Sequence, residues 1–279
     1  MPSDDRNLIP TVSQVCSLHS PLEKDLEDFS AGHCRSIEIW LTKLENYVAA
    51  NSVEKFRDLC AELEVTTPVA SFHGGLLESQ GERRKEAWDH FKRRLDLCGL
   101  AKIPTIVVAC DVAAPLSEQV LERVQVSLQQ LATEVGLRGL RAALEFQATS
   151  AIGNNLQTAV ALVTDVGSPH LGVCLDAYHY HVGPSKPEDL GYLTKDNLLH
   201  VQVCDVADVA RELASDSMRI LPGEGEIALP AIIDRLKQIG YTGCVSLELM
   251  NPQLWQVPPR QMGEIGITSV RKLLGQNTM

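Results

Sequence analysis

The sequence predicts a single (β/α)8 barrel formed by residues 1–279. Eight short apolar runs alternate with longer segments whose apolar residues recur at helical spacing. Eight such strand–helix units match the roughly 250 residues that this barrel takes. A doubly wound sheet is the alternative, but a nucleotide-binding sheet of that kind typically has a glycine-rich phosphate loop after an early strand. The chain contains no G-x-G-x-x-G or Walker pattern.

The predicted strands are short apolar runs, each of which is followed by a segment of helical period or by a polar loop. They cover Thr11–Ser17, Ser36–Trp40, Pro68–His73, Thr105–Cys110, Leu140–Gln147, Leu171–Ala177, Leu199–Asp205 and Cys244–Leu249. The regular alternation predicts a parallel sheet in which each helix connects one strand to the next.

The predicted helices lie between these strands and show apolar residues three or four positions apart. The clearest periodic sets are Trp88, Phe91, Leu95 and Cys98, and Val120, Val124, Leu128, Leu131 and Val135. Ser20 and Thr42 each precede a glutamate by three residues, which predicts that they cap helices. The segment Pro258–Met279 is predicted to be a loop and a closing helix.

The composition is that of a globular protein and argues against two classes of partner. Hydrophobic residues make up 44% of the chain, charged residues make up 22%, and the mean hydropathy is -0.03. The formal net charge of -11 disfavours binding to a phosphate backbone, so we expect no nucleic-acid partner. No apolar run approaches the roughly 18 residues of a membrane span, so we expect no membrane partner.

The cysteines and the N-terminus predict a cytoplasmic protein. The start MPSDDRNLIP lacks the basic and apolar regions of a secretory signal. None of the eight cysteines forms a C-x-x-C pair, and several lie inside apolar runs. We therefore expect buried free thiols in a reducing compartment and not disulfides.

Four polar residues lie at the carboxyl ends of the last four predicted strands, namely Glu145, Asp176, Gln202 and Glu248. Strands of a barrel end at one shared mouth, and side chains alternate between its inner and outer faces. This alternation assigns each of the four to the inner face of its strand. On the seventh strand, it assigns Leu199 to the outer face, against the helices.

Converging carboxylates repel each other, and one would become protonated if no positive charge lay nearby. A divalent cation removes this conflict. The oxygen donors of Glu145, Asp176, Gln202 and Glu248 suit one hard ion such as Mn²⁺ or Mg²⁺, and they disfavour a structural zinc site. Two of about six octahedral positions would remain for substrate oxygens. The alternative interpretation is that these are unrelated polar residues of the barrel rim.

From TVSQVCS to SLELMN, the chain resembles the xylose-isomerase-like TIM-barrel superfamily of sugar isomerases, epimerases and related lyases. The most specific motifs are LGVCLDAYH, LLHVQVCD, PGEGEI and GYTGCVSLELMN. The resemblance implies that Glu145, Asp176, Gln202 and Glu248 bind one divalent metal. A glutamine on strand seven and the R-x-x-P-G-x-G-E pattern are similar to the hydroxypyruvate isomerase and 3-dehydroshikimate dehydratase branches.

The resemblance also implies roles for three further residues. His179, in the D-x-x-H pattern, would contact substrate or move a proton as a general acid. Arg219, in the R-x-x-P-G-x-G-E pattern, would neutralise an anionic group of the substrate. His73 stands where the dehydratases carry an arginine. It is either a substrate contact or a structural histidine.

The chemistry implied by this family is abstraction of a proton next to a carbonyl, with Glu145 and Glu248 as candidate bases and a metal-stabilised enediolate. We therefore expect a metal-dependent isomerase or epimerase of a small sugar or keto-acid, in carbohydrate metabolism. The alternative is a lyase, a dehydratase of the 3-dehydroshikimate or inosose type. An endonuclease of this fold is disfavoured by the acidic charge, and a non-catalytic barrel is the remaining alternative. Barrels of this kind often pair, so a homodimer is one expectation.

Overall fold

The structure is a computed structural model that describes residues 8–276. Eight parallel strands pair in chain order, and the last pairs with the first, so the sheet closes into a barrel. The strands are β1 Ile9–Ser13, β2 Ile37–Trp40, β3 Val69–His73, β4 Thr105–Cys110, β5 Arg141–Phe146, β6 Leu171–Asp176, β7 Leu198–Val203 and β8 Cys244–Leu247. The predicted (β/α)8 barrel is therefore confirmed.

Helices cover the outside of the barrel. Among the described residues they are α1 Leu22–Ala31, α2 Leu41–Ala50, α3 Val53–Glu62, α4 Gly81–Ala101, α5 Glu118–Gly136, α6 Leu156–Val166, α7 Ala177–Val182, α8 Leu229–Ile239 and α9 Pro259–Leu273. The periodic apolar residues of α4 and α5 are mostly buried, as their spacing predicts. The single domain predicted over residues 1–279 includes residues 1–7 and 277–279, which lie outside the described part, so for the whole chain it stays a prediction.

Three local predictions are wrong. The first strand ends at Ser13, because the Ser13 side chain accepts a hydrogen bond from the Val15 N–H and starts a short 3-10 helix. Ser20 does not cap α1, which begins at Leu22 after an N-cap at Pro21. Thr42 lies inside α2, because that helix follows β2 directly at Leu41.

The inner and outer faces of the sheet follow the alternation of side chains with one exception. Val69, Val107, Ala143 and Cys174 form a small apolar cluster inside the barrel. Leu199, predicted to face outward, packs against this inner cluster. The pairing of β6 with β7 shifts register between Val173 and Cys174, so Leu199 is an extra residue in the ladder and the alternation changes there.

The cysteines are free and buried, as predicted. Burial raises the pKa of their thiols, for example that of Cys110 to about 12. These thiols therefore remain protonated at neutral pH and pack as small apolar side chains. Within residues 8–276, no helix combines the length and the apolar character needed to cross a membrane.

Candidate active site

A cavity of about 200 Å³ opens at the carboxyl ends of the strands. It is lined by Trp40, Phe72, Glu145, Gln147, His179, Asp216, Arg219, Glu248 and Met250. The lining residues come from β2, β3 and β5, from the residues that directly follow β5 and β8, from α7, and from the loop between β7 and α8. In barrels of this fold, this end of the sheet carries the active site.

Asp176 and Glu248 are linked by Arg219. The guanidinium Nη1 donates to Asp176 Oδ2 at 2.8 Å and to Glu248 Oε2 at 2.9 Å. Glu145 lies beside them, and its Oε2 accepts a hydrogen bond from Gln147 Nε2 at 2.6 Å. The structure therefore brings together the three carboxylates that the sequence assigned to the mouth.

Arg219 is held on every side by the protein. Its side chain is 2% exposed, and Nε and Nη2 both donate to Asp216, in addition to the two bonds from Nη1. The guanidinium also lies over the Tyr178 ring at 4.4 Å from its centroid. These bonds use four of its five N–H groups. The charge of Arg219 thus already balances carboxylates of the chain, and its predicted role of neutralising an anionic group of the substrate stays a prediction.

Burial and mutual repulsion set the electrostatics of the carboxylates. Burial raises the pKa of Glu145 well above its ordinary value, and the charge of Asp176 raises it further. Burial likewise raises the pKa of Glu248, with a contribution from Glu145. Burial alone would raise the pKa of Asp176, but the Arg219 charge outweighs it and lowers that pKa. One guanidinium is thus too little positive charge for three carboxylates.

His179 lies in α7, one turn after Asp176, and faces the same cavity. Asp176 Oδ1 caps this short helix by accepting hydrogen bonds from the Tyr178 and His179 backbone N–H groups. The His179 Nδ1 accepts from the Ala148 N–H at 3.4 Å, which leaves Nε2 as the protonated nitrogen of the neutral ring. Burial lowers the pKa of His179, so the neutral form predominates at neutral pH.

The donor groups of Glu145, Asp176 and His179 fit a divalent cation. One ligand atom from each lies within 4.8 Å of the others, and all three residues are buried. Two carboxylate oxygens and one imidazole nitrogen are ligands that manganese and zinc both accept. The raised pKa values of Glu145 and Glu248 point the same way, because a cation would relieve the repulsion that raises them.

Gln202 lies at the predicted position on β7, but its side chain has other partners. Its Nε2 donates to Glu38 Oε1 at 3.0 Å and to Glu248 Oε1 at 2.9 Å. Its Oε1 accepts from the Cys174 thiol at 3.1 Å. The amide oxygen would have to turn away from Cys174 to reach a cation beside Glu248. The third residue whose ligand atom lies close to those of Glu145 and Asp176 is therefore His179 and not Gln202. The sequence analysis assigned His179 to substrate binding and not to metal binding.

Glu38 is a buried residue of the site region that the sequence analysis missed. It lies on the inner face of β2 and bonds to His200 Nε2 at 3.0 Å as well as to Gln202. Burial would raise its pKa, but the His200 imidazole and hydrogen bonds lower it below its ordinary value. The alternation in Ile37-Glu38-Ile39-Trp40, with two apolar residues facing outward, was the available signal for Glu38 and for Trp40.

His73 does not line this cavity, and its predicted contact with substrate stays a prediction beside the structural alternative. The pairing of β3 with β4 shifts register between Ala70 and His73, and Phe72 lines the cavity in its place. The His73 ring packs against Phe91 of α4, and its Nδ1 lies 3.2 Å from Arg94 Nη1. Burial and the Arg94 charge lower the pKa of His73 to about 3, so it is a neutral side chain behind the strand.

Replacement of His73 by leucine should therefore have little effect on substrate binding. Since His73 Nε2 is buried without a hydrogen-bond partner among the described residues, an apolar side chain removes a desolvated polar atom. We expect the free energy of unfolding to change by less than about 1 kcal/mol and KM to stay near that of the parent protein. Denaturant unfolding and steady-state kinetics measure these effects. A large rise in KM in a stable variant would show that His73 contacts the substrate after all.

The chain is similar to a family and to several characterised proteins. A family model described as "Xylose isomerase-like TIM barrel" matches residues 30–273. A 3-dehydroshikimate dehydratase of Pseudomonas putida is 28% identical over 271 residues, which are 94% of this chain and 41% of that protein. An inosose isomerase of Halalkalibacterium halodurans is 28% identical over 252 residues, 86% of each chain.

The fold of this chain is also seen in solved structures. A structure described as IOLI protein with a binding zinc atom superposes with a TM-score of 0.89 at 21% identity, over 98% of this chain and 100% of that one. At this identity, the likeness concerns the fold alone. The chain spans about two fifths of the length of the dehydratases that it matches, at 41% and 40%.

Proposed function

Because the chain belongs to the xylose isomerase-like TIM barrel family, we propose that it is a metal-dependent isomerase or epimerase of a small sugar or keto-acid. The reaction would begin by removal of a proton from the carbon next to a carbonyl. The observation that carries this proposal is the pair Glu145 and Glu248, two buried carboxylates with raised pKa values that face one small cavity. Carboxylates with raised pKa values are the bases that such a proton transfer needs.

Glu145 is the better candidate for the first base. Its Oε2 accepts from Gln147, which fixes the carboxylate at the cavity wall. Both oxygens of Glu248 accept hydrogen bonds, from Gln202 and from Arg219, and these bonds reduce its basicity. We propose that Glu145 removes the proton and that Glu248 is the second carboxylate. Glu248 would return a proton to the neighbouring carbon in an isomerisation, or to the opposite face of the same carbon in an epimerisation.

His179 and Arg219 would control the charge that develops on the substrate. The His179 Nε2–H faces the cavity and can donate to a substrate oxygen as negative charge forms on it. Arg219 keeps Asp176 and Glu248 in place, since both accept from the same Nη1. Arg219 would thus fix the positions of these two carboxylates. Its one remaining N–H would be available to donate to a substrate oxygen.

A divalent cation would be held by Glu145 and Asp176, with Glu248 and Gln202 beside them. His179 Nε2 lies within ligand distance as well, but it would join this set only in place of donating its proton to the substrate. When bound, it would polarise the substrate carbonyl as a Lewis acid. Because an imidazole lies within ligand distance of the two carboxylates, zinc joins Mn²⁺ and Mg²⁺ as a candidate. A homodimer and a cytoplasmic location stay predictions.

The second candidate function is a dehydratase of the 3-dehydroshikimate type. The similarity to the Pseudomonas putida dehydratase covers 94% of this chain. The resemblance of Gln202 on β7 to that branch, which hydroxypyruvate isomerases share, and the R-x-x-P-G-x-G-E pattern also favour this function. Both reactions begin with the same proton abstraction. They differ in whether a hydroxyl group then leaves from the next carbon.

Metal removal and proton exchange test the proposal together. We expect the purified protein to exchange a substrate C–H for deuterium in D₂O, as followed by NMR. The panel includes ketoses, cyclic polyhydroxy ketones, hydroxypyruvate and 3-dehydroshikimate. Treatment with EDTA should abolish the exchange, and Mn²⁺, Mg²⁺ or Zn²⁺ should restore it. Formation of an unsaturated, ultraviolet-absorbing product would identify the dehydratase instead. No turnover of any compound with any of the three metals would contradict both functions.

A further inference from the structure

A buried carboxylate connects two strands that are not neighbours in the barrel. Glu38 lies on β2, and its two oxygens accept from two side chains of β7, His200 Nε2 at 3.0 Å and Gln202 Nε2 at 3.0 Å. Since β2 and β7 do not pair in the sheet, these bonds cross the interior of the barrel. All three side chains are fully buried. Glu38 precedes the cavity-lining Trp40 by two residues, so it lies one layer below the cavity.

Packing alone does not require a charged group at this place. Elsewhere the interior of the barrel is filled by the apolar side chains of Val69, Val107, Ala143 and Cys174. Burial of an ionic group costs desolvation, and apolar side chains of similar volume often give a fold that is at least as stable. The His200 ring bonds to Glu38, and its other nitrogen, Nδ1, is buried without a partner among the described residues. The charged pair therefore points to a task other than packing.

The partners of Gln202 fix the direction in which its amide group faces. Its Oε1 accepts from the Cys174 thiol at 3.1 Å, and its Nε2 donates to Glu38 Oε1. Burial alone would raise the pKa of Glu38, but the His200 imidazole and hydrogen bonds lower it, so the carboxylate stays ionised and can only accept. The reverse orientation would place the amide oxygen against this carboxylate. The Nε2 group consequently faces Glu38 and keeps a second N–H for another acceptor.

The acceptor of that second N–H is Glu248. Its Oε1 accepts from Gln202 Nε2 at 2.9 Å, and its Oε2 accepts from Arg219. An amide turned the other way would present an oxygen to Glu248 in place of a donor. The orientation of Gln202 therefore decides whether this oxygen of Glu248 is held or repelled.

We propose that Glu38, held by His200, is a positioning residue for Glu248. It acts through the amide of Gln202, and neither Glu38 nor His200 is among the described residues that line the cavity. This inference rests on the proposed function, in which Glu145 removes a proton and Glu248 returns one. Loss of the arrangement should therefore impair the return of the proton and not its removal.

Glu38→Gln tests this role, because it keeps the size of the side chain but adds a donor that can meet the Gln202 amide in either orientation. With a substrate found by exchange in D₂O, NMR follows both deuterium exchange at the first carbon and formation of the rearranged product. We expect product formation to slow by roughly 10- to 100-fold, and exchange to stay within about threefold of the parent. An equal fall in both rates, or no change in either, would overturn the inference.

Asp25→Asn is the matched control. Asp25 is as deeply buried as Glu38 and forms an ion pair with Lys43 at 2.6 Å. This variant should lower the melting temperature, because it leaves the Lys43 charge without its counter-charge. The ratio of the two rates should stay as in the parent. A ratio changed as much as in Glu38→Gln would show that any loosening of the barrel has this effect, and would also overturn the inference.

The amide group of Gln202 gives a readout that needs neither substrate nor metal. NMR of protein labelled with ¹⁵N-glutamine detects this group, and Gln202→Leu identifies its signals by their absence. We expect broadened or doubled signals in Glu38→Gln and in His200→Leu, because the amide can then turn, and one sharp pair in Asp25→Asn. Circular dichroism checks the fold of each variant. One sharp pair in Glu38→Gln would overturn the inference. This measurement still decides the role of Glu38 if the parent exchanges no substrate C–H, an outcome that contradicts the proposed function alone.

Discussion

Replacement of Glu145 by glutamine should reduce the rate of substrate C–H exchange by roughly 10²- to 10⁴-fold. Glutamine keeps the size of the side chain but cannot accept a proton from carbon. The variant should be as stable as the parent or more stable. Burial and Asp176 raise the pKa of Glu145. Because this pKa is higher in the folded than in the unfolded chain, the ionised form destabilises the fold at neutral pH, and a neutral side chain removes that cost.

Two measurements check this prediction, namely the exchange rate by NMR and the melting temperature by calorimetry. Glu134→Gln is the matched control, since it makes the same chemical change in α5, where Glu134 pairs with Arg138 and Lys92. The control should leave the exchange rate unchanged. If Glu145→Gln retained exchange within tenfold of the parent, Glu145 would not be the base, and Glu248 would be the next candidate.

Replacement of Arg219 by leucine should destabilise the fold by about 3–5 kcal/mol, because it leaves buried carboxylates without their counter-charge. Asp176 and Glu248 both accept from its Nη1, and neither is accessible enough to regain full hydration. The charges of these carboxylates raise the pKa of Arg219 even though burial would lower it. We expect the melting temperature to fall by roughly 10 °C.

Arg138→Leu is the control for a loss of an arginine. Arg138 makes ion pairs with Asp96 and Glu134, but it lies nearer the surface, with 23% of its side chain exposed. Its loss should cost less than about 1 kcal/mol. Denaturant unfolding of both variants at neutral pH gives the comparison. Similar small losses for both would mean that Arg219 is not the counter-charge on which the carboxylates depend.

The sequence predicted the barrel because its signals are local and repeated. Apolar runs and helical periods occur along the whole chain, and the spacing of apolar residues within each element indicates which of its faces is buried. The same reasoning located Glu145, Asp176 and Glu248, because the end of a parallel strand always lies at the mouth. It could also have located Glu38 and Trp40, since Ile37 and Ile39 mark the outer face of β2.

The tertiary structure alone decided two things. It decided where a strand shifts register, and it decided which residues far apart in the sequence come into contact. A shift in β3 turned Phe72 toward the cavity and His73 toward α4, and a shift beside β7 turned Leu199 inward. One residue of slip changes the face of a strand, and alternation in the sequence does not reveal it. Arg219 meets Asp176 across 43 positions of the chain. Its partners depend on how the loop after β7 folds back over the mouth. The sequence therefore determined the architecture and the carboxylates, whereas three-dimensional packing determined which side chains they face.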